Sequence, residues 1–556
     1  MKENRTIEER LESGEPVSNE ELMEAVGFEI PNEDETPEQP MPEDKPKSVI
    51  EEAPVMSEAF TERPKVFTTF SNGVKRPLTD IVNQSLDLIV ENNENLYHTR
   101  KTLGRIILDE HGHHYIETLD NKAIHGYLCD TANFLTIQVR NTKNGQSTKL
   151  VVDDPPIAYS DNILKFQSHD NIRKLRGIYN HPILNSDGQI DFSIGYNEES
   201  GIFIPPTAHF EKENMSVGEA KIELAELISD FDFEDDTGIF MALALPLTMI
   251  CRQYINDPTP IFAFSGPSGA GKSLIVKALY RLVTGINVQE QQTPHTAAEW
   301  NKVIFARLLS GEQLIYFDNV NRRDEQGNDI ELESNALASA TTAGLFTDRI
   351  LGISETRSVE VNSTFAISGI GVDTLISEEL YKRLVLIRIA ESDKGPDQFK
   401  FYPLLKHIDE NRPKLMSAYM TLIEDWIHAG KPQGSQYLSR FESWAATIGG
   451  IFENAGIYQA IPTEKMVTKL PNPREIYQQF LRETFIYSTE GKVSVNTVTD
   501  LWSKTVTENE NGNLKSITSH KRNEWLREVF TDVGYTRAKD TSGKTFACWK
   551  GLSIKG

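Results

Sequence analysis

Residues 261–279 read IFAFSGPSGAGKSLIVKAL. The apolar run Ile261 to Phe264 enters a glycine-rich turn, Gly266-Pro267-Ser268-Gly269-Ala270-Gly271-Lys272-Ser273. Leu274, Ile275, Ala278 and Leu279 then recur at helical spacing. Strand, turn and helix in that order are the context that a phosphate-binding loop of the Walker A type requires. Glycine admits backbone conformations in which successive N–H groups converge, and a helix start adds a positive dipole end, so the turn reads as an anion nest. Lys272 would reach the β- and γ-phosphates of a nucleoside triphosphate, from a side chain facing solvent until phosphate arrives. Ser273 would offer its hydroxyl to Mg²⁺. The plain alternative is an ordinary glycine turn; the flanking strand and helix favour phosphate, so the expected cofactors are ATP and Mg²⁺.

Downstream lies Gln313-Leu314-Ile315-Tyr316-Phe317-Asp318-Asn319-Val320. Four apolar residues with a terminal acid describe a buried parallel strand whose carboxyl end meets the ligand. Alone, such a run is usually just a strand end. At this distance from the glycine turn, Asp318 becomes the expected partner of Ser273 in holding Mg²⁺. Around these, helices are predicted over Val217–Phe231, Ala298–Leu309 and Leu332–Thr342, with a fully buried helix over Ile239–Ile250. A hairpin is predicted near 354–361 with Ser354-Glu355-Thr356-Arg357 at its tip. Phe365–Gly369 reads as a buried strand, and Leu380–Ile389 as a helix end entering another. Helices alternating with strands imply an α/β fold with a parallel sheet.

The chain of 556 residues carries a formal charge of −25, which argues against non-specific DNA binding over its whole surface. The charge is uneven, because residues 1–65 hold 19 acids and 7 bases. That composition predicts an acidic disordered tail, able to dock a replication partner. What remains leaves room for a local basic channel. Three widely spaced cysteines, no zinc-ligand spacing and no run of 18 apolar residues fit a cytoplasmic protein without a membrane segment.

Residues 66–210 read as a small α+β domain, with a helix over Ile81–Val90 and strands at 96–97, 105–108 and 134–139. Its His111, His113 and His114 suggest either a metal site or a hydrophilic strand turn, and no ligand partner lies at metal spacing. The sheet core, with its leading helices, is expected over 211–400 and a helical lid over 401–470. In 471–556, three helices (474–487, 495–506 and 519–533) precede two strands flanking Asp540–Gly543. This is winged-helix order. Lys521, Arg522, Arg537, Lys539, Lys544 and Lys550 make this region locally basic, for nucleic acid or simply as a solvated face.

The run from FDNV (317–320) through TDRILG (347–352), the hairpin, and ISGIGVDTLISEELYKRLVLIRI (367–389) resembles AAA+ ATPases of phages and integrated elements. These are related to superfamily 3 helicases and to the helicase half of primase-helicases. The likeness extends to LRGIYNHPILNSDGQIDFSIGYNEESGIF (175–203), TLIEDWIHAGKP (421–432), FESWAATIGGIFENAGI (441–457) and GYTRAKDTSGKTFACWKGL (534–552), covering roughly residues 80–556. No primase or Toprim domain is included. The resemblance implies a ring, usually a hexamer, in the cytoplasm of a bacterial host, with ATP between subunits and single-stranded DNA in the pore. Its activity would be helicase translocation during phage or mobile-element replication; the alternative is a loader or initiator that remodels DNA or a partner without processive unwinding. Arg383 matches the arginine finger, its alternative being a surface salt bridge. Arg357 matches a pore-hairpin residue that could grip phosphate or pair with Glu355. Two departures stand out. Asn319 follows Asp318 where many relatives have Glu, and Asn can orient a water but cannot take its proton. Gly371-Val372-Asp373 replaces Gly-Asn-Asn, passing any sensor role to Asp373 or Thr374.

Overall fold

Ile261–Ser265 is buried at every position and belongs to a five-stranded sheet. The strand order is Glu290–Gln291, Leu314–Phe317, Thr364–Gly369, Ile261–Ser265, Leu384–Arg388, and every neighbouring pair is parallel. Alternate residues point to opposite faces of a strand. Phe262, Phe264, Tyr316, Ala366, Val385 and Ile387 therefore enter one core, and Ile261, Ala263, Ile315, Phe317, Ile367 and Leu384 enter another. Burial on both faces is why these strands read as unbroken apolar runs. Trp300 lies 4.6 Å from Phe317, ring centre to ring centre. Losing a core ring of that kind costs about 3–5 kcal/mol.

Helices Asp236–Ile255, Lys272–Thr284, Leu404–His428 and Glu442–Asn454 contribute to the first core, and Ala297–Ser310 and Asn335–Ala340 to the second. Their ends are legible in the chain. Thr296 and Glu299 form a capping box at the start of Ala297–Ser310, and Gly311 ends that helix at φ 75°. Asp236–Ile255 is long and apolar enough to cross a membrane by length and composition, yet 78% of its most apolar window is buried inside the protein.

The computed structural model describes residues 63–555, apart from 101, 111, 143–144, 166–170, 256, 321, 324–328, 331, 350–355, 373–374, 393, 463–472, 509–518 and 540–544. His111, Glu355, Asp373, Thr374, Lys544 and the acidic tail before residue 63 lie outside the described residues. Contacts divide the chain into two units, one running up to Ile178 and including Tyr196–Phe203, the other holding Tyr179–Gly195 and everything from Ile204. In the first unit, Leu78–Asn92, Asn121–Thr131 and Ile157–Lys165 are helical. Lys65–Phe67 pairs in parallel with the start of Asn133–Thr142, which forms a long antiparallel ribbon with Gly145–Asp153. A second sheet joins His114–Thr118, Leu103–Leu108, Tyr97–Thr99 and Lys174–Leu175. His113 follows the turn between two of its strands, where its amide bonds Asp109. No group of three potential metal ligands occurs among the described residues.

Four expectations need correction. The hairpin pairs Leu345–Arg349 with Thr356–Glu360, so Arg357 sits in the returning strand opposite Asp348 and not at a tip. The alternation that suggested a tip at 354–357 belongs instead to a strand half-buried on one side, with Val359 inward. The helix expected over Leu332–Thr342 is confined to Asn335–Ala340, because Ser334 caps it and Leu332 bridges to Ile376. The amphipathic helix beginning at Val217 ends at Leu227. In the C-terminal region, Phe485–Ser494 is a strand where helix and loop were expected, so Thr545–Ile554 has a strand on each side. Phe485 and Val493 anchor it in a core with Tyr477, Trp502 and Trp549. Helical periodicity in Pro473–Thr484 hides the change to period two.

Within the second unit, His181 is fully buried and bonds the Pro182 carbonyl at 2.7 Å and the Gln313 side chain at 2.8 Å. Burial pulls its pKa down to about 4, against the opposing effect of those two bonds. Above its unfolded pKa near 6.5 the ring is neutral in both states and this contribution is complete. As pH falls from there towards 4, only the unfolded chain gains the proton, and stability is lost. Denaturant unfolding should lose up to about 3 kcal/mol across that window, and His181→Gln should flatten the slope by a similar amount. An unchanged slope in the variant would reject this assignment.

Candidate functional site

Parallel strands bring their carboxyl ends to one edge of the sheet, and there the chain turns at Gly266. The loop is held against the end of Leu384–Arg388, where the Ile389 amide donates to the Ser265 carbonyl at 2.9 Å. A Cβ on Gly266 would meet the Ile389 carbonyl oxygen at 2.1 Å, so only glycine fits. Gly271 has φ +82° and a Cβ there would lie 2.8 Å from the Phe231 ring. Both glycines are therefore demanded by close approach, whereas Gly269, at φ +88°, has nothing within 4 Å of its Cβ position and is demanded by conformation alone. Ser268 and Gly269 form the exposed tip, while Ala270 is buried and Pro267 half-buried.

Helix Lys272–Thr284 begins directly after Gly271 with no side-chain cap. Its first amides thus point towards the loop carrying the positive dipole end, an arrangement that attracts anions. Lys272 was expected to face solvent. Instead it is 9% exposed and Nζ donates to the Pro267 carbonyl at 2.5 Å. The ammonium spans the loop from inside through that bond. Burial lowers its pKa, opposed by the charge of Asp318.

Asp318 stands one residue beyond Leu314–Phe317. Its Oδ1 accepts from Ser273 Oγ at 2.8 Å, from the Tyr316 hydroxyl at 2.8 Å, from Ser368 Oγ and from the Asn319 amide at 2.9 Å. Burial alone would raise the carboxyl pKa, but these four bonds outweigh it and the net direction is down. The carboxylate is therefore held ionised beside the loop. Asn319 is exposed at φ 52°, a left-handed conformation that Asn tolerates. Tyr316 and Ser368 were not singled out from sequence. Tyr316 shares a strand face with Asp318, and the pairing Phe317↔Ile367 places Ser368 beside Asp318 at the next step. A hydroxyl at that inward position of Thr364–Gly369 was the available signal.

The other expected residues lie elsewhere. Arg383 precedes Leu384–Arg388, and its carbonyl accepts from Ile261 N at 2.8 Å. The register runs from Ile261↔Leu384 to Ser265↔Arg388, which separates Arg383 from its own loop by about 13 Å of strand. Its guanidinium is 12% exposed and lies 3.1 Å from the Glu379 carboxylate. Burial lowers its pKa while Glu379 works the other way. Arg357 is half-buried in the hairpin; Arg537 and Lys539 are exposed on Gly534–Lys539. The structure thus brings together Gly266 to Ser273, Asp318 and Asn319, and leaves the four arginine and lysine candidates apart from them.

No family model matches the chain, and no curated protein matches it. Among solved structures, the A form apo structure of the NrS-1 C-terminal region matches over 71% of this chain and 84% of that one, at 12% identity and a TM-score of 0.28. A likeness at that score carries no argument, and the reading of the site rests on its own geometry. Gly266→Ala should cost about 3 kcal/mol by displacing the Ile389 backbone, while Gly269→Ala, at a tip with open space, should cost only the left-handed penalty of about 1–2 kcal/mol. Equilibrium unfolding of the two variants checks this ranking; equal losses would show that the approach of Ile389 is not the constraint.

Proposed function

We propose that the chain is a P-loop ATPase of the AAA+ type, and that its hydrolysis drives a ring of subunits along single-stranded DNA. The observation that carries the nucleotide reading is the Ser273–Asp318 bond of 2.8 Å beside the uncapped start of Lys272–Thr284. A hydroxyl and an ionised carboxylate are the hard oxygen donors that Mg²⁺ takes, and the glycine turn offers amides to phosphate. Mg²⁺, when bound there, would neutralise charge on the β- and γ-phosphate oxygens. Lys272 would leave the Pro267 carbonyl for those oxygens. Asn319, exposed beside Asp318, would orient the attacking water through its amide. Water adds to the γ-phosphorus as its bond to the ADP oxygen breaks, and its proton passes to an oxygen of the transferred phosphoryl group, giving ADP and hydrogen phosphate.

Strand order and register support the multi-subunit part of the reading. Arg383 lies at the opposite end of the sheet from its own glycine turn, so only another copy could present a triphosphate to it. Rotation away from Glu379 would supply a fixed cation to the charge of the loose transition state. The hairpin of Leu345–Arg349 and Thr356–Glu360 would line the pore. The described helices Pro473–Thr484, Val495–Glu508 and Ser519–Val529, with the three-stranded sheet that begins at Phe485, would act as a winged helix, with Arg537 and Lys539 towards DNA. The sensor position falls at 373–374, outside the described residues. A loader or initiator would use the same ATP site without unwinding.

Lys272→Ala should reduce ATP hydrolysis by at least 100-fold while circular dichroism stays native, and hydrolysis at the parental rate would end this account. Mixing Arg383→Ala with Lys272→Ala subunits should restore part of the activity if the two residues serve one shared site. Strand displacement on a tailed duplex without partners separates a helicase from a loader, which would hydrolyse ATP but leave the duplex intact.

A further inference from the structure

Three stretches of 20 or more residues contain no Asp or Glu: 131–152, 237–256 and 258–289. The second is the buried helix Asp236–Ile255 and the third holds the glycine turn, so each has an internal reason to exclude acids. In the first, burial accounts for residues 131–137 but not for the exposed part of the ribbon of the N-terminal unit that follows. Gln138, Arg140, Asn141, Gln146, Ser147, Thr148 and Lys149 are all exposed. The shorter acid-free stretch 63–79 folds onto the same sheet. Lys65–Phe67 pairs with Asn133–Leu135, the Ile137 amide donates to Thr69 Oγ1 at 2.8 Å, and Thr69 bridges to Lys75. Together these 39 residues hold seven bases and no acid, in a chain of net charge −25.

We propose that this sheet binds the phosphate backbone of single-stranded nucleic acid. The reading is separate from the candidate ATP site and rests on the proposed function only for the choice of a single strand. The pairings Gln138↔Lys149 and Arg140↔Ser147 put Arg140 and Lys149 on one face of the ribbon, as diagonal neighbours about 7–8 Å apart. Lys75 is exposed on a turn that packs against the same strand from its other face, where a Cβ on Gly73 would meet the Val139 side chain at 3.0 Å, so the cations flank the ribbon on both sides. Exposed Gln138 and Ser147 share the face of Arg140 and Lys149, and exposed Asn141 and Thr148 lie on the opposite face with Val139; amides and hydroxyls of this kind are among the usual donors to phosphate oxygens. The nearest ribbon acid, Asp153, pairs with Phe134 at the far end from the turn. The turn-proximal part of the ribbon, free of acids, is thus complementary to a polyanion, whereas the protein as a whole repels one.

The test uses the full chain without nucleotide, a labelled single-stranded oligonucleotide and a salt titration. Lys75→Ala/Arg140→Ala/Lys149→Ala should weaken binding at least tenfold at low salt. It should also reduce the slope of log K against log salt by about 2, at about 0.7 per lost phosphate contact. Thermal melting and basal ATPase of the triple variant should match the parent, since all three side chains are exposed and outside the ATP site. Lys272→Ala should keep the ribbon-dependent slope, so failure here is distinguishable from failure of the ATPase reading. An unchanged slope and affinity in the triple variant would overturn the proposal. So would binding of a peptide with the sequence of residues 1–62, lost in the triple variant, without oligonucleotide binding.

Discussion

The carboxylate of Asp318 is the fixed point of the sheet edge. Three hydroxyls from three separate elements and one amide converge on a single oxygen, Oδ1. Each donor is placed by a different constraint. Tyr316 is set by the strand's own alternation, Ser368 by the register with the next strand, and Ser273 by the first turn of the helix after the glycines. A charge-assisted hydrogen bond is worth about 1.5–3 kcal/mol, and here such bonds also tie the glycine turn to the sheet across two strands. Shifting any of the three elements by one residue would leave an ionised carboxylate half-buried without its donors.

The same edge explains the glycine pattern. The backbone of Ile389 runs so close to Gly266, and the ring of Phe231 so close to Gly271, that the turn is pressed between two other segments. A loop clamped in this way is pre-organised, and little ordering cost remains when an anion arrives. Lys272 braces the turn from inside by bonding the Pro267 carbonyl. At the far end of the sheet, Arg383 is likewise held by its own helix through Glu379. Both cations are held in intramolecular contacts.

Charge distribution separates surfaces by role. The acids that give the chain its negative balance are absent from the glycine turn and from residues 131–152 of the N-terminal unit. Excluding acids from a segment that is already buried needs no further reason. On an exposed ribbon, where solvent tolerates either sign, their absence leaves a surface of net positive charge.

Sequence by itself determined the strand–turn–helix of residues 261–284, the apolar strands at 314–317, 364–369 and 384–388, and the pairing of Ser273 with Asp318. Those features follow from local periodicity, glycine spacing and the need to bury both faces of a parallel sheet. Tertiary structure alone decided the donors Tyr316 and Ser368, because neither hydroxyl carries a motif and only strand register places them beside Asp318. It also decided the inward lysine, the displacement of Arg357 from a turn into a strand, and the extra strand Phe485–Ser494. In each case the local pattern allowed two outcomes, and partners distant along the chain chose between them.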